Sequence, residues 1–124
     1  MTKKRLPLPK QITVFSKTYR IVYCRKLENV DSYNKNKEKK KKAVFGSVDF
    51  EKMEIRLFRG KGFPFSEVWR YLIHEWNHII EREMNIDFKK MTDEQIIDGF
   101  AVGTLHILVE NNIYIKGTLK KNDS

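Results

Sequence analysis

The sequence predicts a small α+β domain, with about four short strands followed by two helices. Three observations predict it. The stretches "QITVFSKTYRIVYCR" (11–25) and "AVFGSVDFEKMEIRLF" (43–58) are rich in β-branched and aromatic residues, which favour strands. From Ser66 onward the apolar residues fall at helical spacing. A last stretch, "MTDEQIIDGFAVGTLHILVENN", opens on a capping pattern and closes on paired asparagines.

The first stretch breaks at Ser16-Lys17, which predicts strands over about 11–15 and 18–25 joined by a tight turn. Residues 26–43 are too lysine-rich to pack and read as one long basic loop. A second hairpin follows, broken at Glu51-Lys52, and Gly60, Gly62 and Pro64 end the sheet region. Ser66 is a helix N-cap candidate, and Glu67 puts negative charge in the first turn, where the helix dipole favours it. Val68, Trp69, Leu72, Ile73, Trp76, Ile79 and Ile80 share one face. Trp69, Leu72, Trp76 and Ile80 of that face are expected in the core. Thr92 with Gln95 three residues on forms a capping box, so a second helix runs over about 93–110. Residues 114–124 read as a flexible tail.

A chain of 124 residues fits a single domain, 1–124, and 40% hydrophobic content suffices for one core. No apolar run approaches the roughly 18 to 20 residues that span a bilayer, so no membrane partner is expected. The basic N-terminus leads into no apolar segment of the kind a secretory signal needs. The single cysteine, Cys24, excludes an internal disulfide, suits a reducing cytoplasm and reads as a buried thiol. The net charge of +9 is concentrated in "NKNKEKKKK" (34–42), with a smaller cluster at Lys3, Lys4 and Arg5. A lysine run without aromatics attracts phosphate but offers bases nothing to stack on. It reads as a solvated loop, with nucleic-acid binding as the alternative.

The chemistry lies in "VWRYLIHEWNHIIERE" (68–83), where His74, Glu75 and His78 form an H-E-x-x-H pattern. Two histidines four apart on a helix are neighbours on one face, so both imidazoles can reach one ion. The glutamate between them can hold the water that the metal activates. With Leu72 as origin and about 100° per residue, the apolar face spans roughly −40° to +100°. His74 then lies near ~200° and His78 near ~240°, off the face that packs.

A catalytic zinc site needs a third protein ligand and an open position. His106, Glu94, Asp98 and Glu110 are the candidates on the last helix. His106 sits in the apolar "LHILV" run and reads as a core histidine. Position in the first turn favours Glu94. Asp98, one turn on, can instead orient a ligand through a hydrogen bond.

These motifs resemble those of the ImmA/IrrE-type zinc metallopeptidases found in phages and integrative elements. A strand-rich segment with "FGSVDFEKMEIRLF" precedes "LIHEWNHII", and "EQIIDGFA" is similar to the family's E-x-x-A-N-x-F-A helix. The resemblance covers about residues 10 to 112. Ile97 and Asp98 stand at the family's Ala and Asn positions, and Trp76 and Asn77 are bulkier than usual before the second histidine. The resemblance implies a zincin-like fold, with His74, His78 and Glu94 as zinc ligands and Glu75 as general base. It implies a hydrolase, a regulatory protease cutting a protein substrate such as a transcriptional repressor. Alternatives are a SprT-like protease acting on DNA-bound proteins and a non-catalytic module binding DNA or a partner protein. In zincins a sheet edge receives the substrate as an added strand, and "MEIRLF" (53–58) is the expected edge.

Overall fold

The computed structural model describes residues 8–31 and 44–113. Four strands form one mixed sheet: β1 (Gln11–Val14), β2 (Lys17–Cys24), β3 (Gly46–Asp49) and β4 (Glu54–Phe58). Two helices follow, α1 (Phe65–Glu83) and α2 (Asp93–Glu110). This is the expected α+β class. The lysine run 34–42, the basic cluster at Lys3, Lys4 and Arg5, and the tail 114–124 lie outside the described residues.

The turn between β1 and β2 falls on Phe15-Ser16, one residue earlier than expected, with φ of 50° and 69°. Two left-handed residues give the twist that joins right-twisted antiparallel strands most directly. The strand order is β1-β2-β4-β3. β2 runs parallel to β4, from Arg20 opposite Glu54 to Cys24 opposite Phe58. β3 runs antiparallel to β4, with Gly46 opposite Leu57 and Asp49 opposite Glu54. Residues 53–58 are therefore not an edge: β4 lies between β2 and β3, because the crossover after β2 lets β4 pair with it in parallel. Among the described residues the edges are β1 and β3.

The basic segment begins with a single 3-10 turn at Leu27–Asn29 rather than open loop. Val30 is fully buried, and the Ser47 hydroxyl donates to its carbonyl at 2.6 Å. The expectation that nothing in 26–43 packs fails at Val30, an apolar residue within reach of the sheet.

The helix α1 starts at Phe65, with the Pro64 carbonyl accepting from Glu67 and Val68. Ser66 thus lies inside the first turn and is not its cap. At α2 the capping box is present as read: Thr92 accepts from the Gln95 N–H and Gln95 accepts from the Thr92 N–H.

Two compact units divide the chain. The first holds most of β2, β3, β4 and α1 as far as Glu75. Its core is Tyr19, Ile21, Cys24, Val30, Ile55, Leu57, Val68 and Leu72. The Cys24 thiol is buried, and burial pushes its pKa up.

The second unit holds most of β1, its turn, and the chain from Trp76 onward. Ile12, Val14, Trp76, Ile79, Ile80, Ile86 and Ile107 are its core. A β-carbon on Gly103 would come within 2.5 Å of Ile80 Cγ2, so α2 approaches α1 at a residue without a side chain. At the other end of α2, the Asn111 amide accepts from the Thr13 N–H at 2.8 Å and donates to the Thr13 carbonyl at 2.7 Å. The Glu110 carboxylate accepts from the Phe15 and Ser16 N–H groups at 2.9 and 3.2 Å. The bonds to Thr13 occupy backbone groups that an edge strand otherwise leaves for another chain.

Candidate metal centre

The sequence between Ser66 and Glu83 forms one uninterrupted helix, as its apolar spacing requires. Of the four residues expected in the core, Leu72, Trp76 and Ile80 are buried and Trp69 is not; Ile79 is buried as well. Trp69 is only half-buried and Ile73 is 41% exposed, so the buried stripe is narrower than the full set of apolar residues.

His74 and His78 are both exposed, on the side away from that stripe. The His78 Nδ1 lies 3.7 Å from the Glu81 carboxylate. Glu75 differs sharply. At about −60° on the same wheel it falls on the margin of the apolar stripe, and it is only 5% exposed. Burial raises its pKa to about 7, because a charged carboxylate loses its hydration there.

The edge strand β3 touches this carboxyl. A β-carbon on Gly46 would lie 2.9 Å from Glu75 Oε2 and 3.2 Å from its Cγ. Sequence reasoning missed Gly46. The available signal was a glycine within a strand pattern, which marks a close approach of another group to the backbone.

Glu94 and Asp98 are exposed on α2, Glu94 in its first turn and Asp98 one turn on. Among the described residues, no group of three or more His, Cys, Asp or Glu side chains is gathered as a metal ion requires. What the structure brings together is the helical pair His74 and His78 with Glu75 in the same turn. The donor chemistry suits zinc, which takes imidazole nitrogen and carboxylate oxygen. His106 is not the expected core residue. It is exposed, with its ring 4.9 Å from that of Phe15, and the apolar neighbours in "LHILV" include Leu105 and Val109, themselves exposed.

Among the described residues no helix is long and apolar enough to cross a membrane. Compared with protein-family models, curated proteins and solved structures, the chain matches none.

Proposed function

We propose that this chain is a zinc-dependent endopeptidase, with His74, His78 and Glu94 as metal ligands and Glu75 as general base. Asp98 would orient a ligand. The observation that carries this reading is the placement of Glu75: it is the buried carboxyl of an H-E-x-x-H helix, set against the edge strand at Gly46, and burial raises its pKa. A general base works best when its pKa lies near the working pH. When bound, zinc supplies a Lewis acid that polarises the scissile carbonyl and lowers the pKa of water. Glu75 takes the proton from the attacking water and passes it to the departing amine, so the hydroxyl ends on carbon and the proton on nitrogen.

Edge strand β3 supports a docking mode for an extended peptide in place of the one expected at 53–58. Its first residue, Gly46, already lies against Glu75. A peptide added along Gly46–Asp49 would bring its main chain past the base with little demand on its sequence. The resemblance to ImmA/IrrE-type peptidases supports a regulatory protease of a phage or mobile element, with a repressor as substrate.

The test is hydrolysis of a proteome-derived peptide library, read by mass spectrometry, with wild type and Glu75→Gln. Loss of a general base typically costs on the order of 100-fold or more, with zinc content unchanged. Equal cleavage by both proteins would refute the role of Glu75 and leave a non-catalytic module as the better reading.

A further inference from the structure

A cavity of about 550 Å³ opens where β2 and β4 end, beside the first turns of α1. Its volume lies within the range of about 300–1,000 Å³ typical of small-molecule sites. The two strands are parallel and finish in register at Cys24 and Phe58. The Arg59 N–H donates to the Cys24 carbonyl at 2.7 Å, which holds the two chains together one residue further on. In open α/β sheets ligands bind outside the carboxyl ends of the parallel strands; here a single such pair, β2 and β4, lies in a mixed sheet.

Arg25, Arg59 and Lys61 line the cavity, and among the described residues no carboxylate does. All three are exposed, and none pairs with a carboxylate among the described residues. Tyr23, Phe63 and Phe65 give the wall an aromatic side, and Gly60 and Val68 complete it among the described residues. Phe63 is stacked on Phe45 at 5.4 Å and met edge-on by Phe58 at 4.9 Å. The Arg59 guanidinium lies 5.7 Å over the Tyr23 ring. The Tyr23 phenol, raised to about 12 by burial, stays neutral and adds no negative charge to the wall.

We infer that this cavity binds a nucleotide, its phosphate held by Arg25, Arg59 and Lys61 and its base against the aromatic wall. Cations alone suit any anion, and aromatic faces alone suit any flat apolar group. The two together select a flat heterocycle that carries a phosphate. The lysine run at 34–42 has the charge but no aromatic residue, so this cavity supplies what that run lacks. The same chemistry comes from a free mononucleotide or from one unit of a single strand.

Isothermal titration calorimetry of the full chain with AMP, adenosine, inorganic phosphate and an oligothymidylate tests it. One AMP per chain is expected, with adenosine and phosphate each binding at least about tenfold more weakly. Tighter binding of the oligonucleotide assigns the site to a single strand, and weaker binding assigns it to a free nucleotide. Lys61→Gln, a change at an exposed side chain, should weaken AMP about tenfold, and Arg59→Gln/Lys61→Gln further still. Lys89→Gln/Lys90→Gln removes the same charge elsewhere and should change nothing. The inference is overturned if AMP does not bind at millimolar concentration, or if phosphate binds as tightly as AMP. It is overturned equally if the cavity and control variants lose the same affinity.

Discussion

The backbone of Gly46 lies against the carboxyl of Glu75, so closely that a β-carbon at position 46 would come 2.9 Å from Oε2. An edge strand and a buried acid are thus juxtaposed at a residue with no side chain to separate them. The nearest atom is the end of a flexible side chain, which can turn away at small cost. In Gly46→Ala the fold should survive, and the carboxyl of Glu75, the proposed base, should be displaced. Peptide hydrolysis should fall by roughly ten- to a hundredfold, the scale of a misplaced catalytic group. Thermal melting should change little. A variant that melts far below wild type, or one with full activity, would contradict this.

The second prediction concerns acid stability. Glu54 is 3% exposed and accepts hydrogen bonds from Arg20 and Arg56. The Arg20 hydrogen bond, with a further one from Arg56, holds its carboxyl below the ordinary value of 4.5 despite burial. A folded-state pKa below the unfolded one means stability that is present above about pH 4.5 and lost as the pH falls through the folded value. Glu54→Gln should therefore cost about 1–3 kcal/mol at neutral pH, and the difference from wild type should shrink in acid. Denaturant melts between pH 7 and pH 3 measure it. A gap that stays constant with pH would show that the ion pairs contribute nothing.

The third concerns the β1–β2 turn. Ser16 is exposed, with φ of 69°, where L-residues with a side chain pay a steric cost. Ser16→Gly should raise stability by about 0.5–1 kcal/mol. The Ser16 N–H that bonds Glu110 is kept in the variant. A lower denaturation midpoint would mean that the left-handed turn is not the one adopted.

The fourth separates two adjacent apolar residues. Leu72 is fully buried and Ile73 is 41% exposed. Leu72→Ala should cost about 2–5 kcal/mol, and Ile73→Ala should stay within roughly 0.5 kcal/mol. Equal losses would place the buried face of α1 wrongly.

Those two residues also show what was legible in the sequence. Strands, helices and the Thr92–Gln95 cap were readable because each depends on neighbours a few residues away. The width of the buried stripe was not, since Ile73 is excluded by what packs on α1 and not by its own chemistry. Strand order was hidden for the same reason. Chain order makes β4 look like an edge, but the parallel pairing of β2 with β4 is a choice between distant segments. The helical pair His74 and His78 with Glu75 was evident from spacing. The contact with Gly46, and the exposure of His106 beside Phe15, depend on residues more than 25 positions away.

The most direct test is the zinc content of the full chain, measured by elemental analysis after dialysis against micromolar zinc. Wild type and Glu75→Gln should each hold one zinc per chain. Folded His74→Ala and Glu94→Ala proteins should hold almost none, since a site missing one of three ligands loses most of its affinity. Wild type that retains no zinc would contradict the metallopeptidase reading. Full zinc in Glu94→Ala, with an empty site in Asp98→Ala, would transfer the third ligand to Asp98.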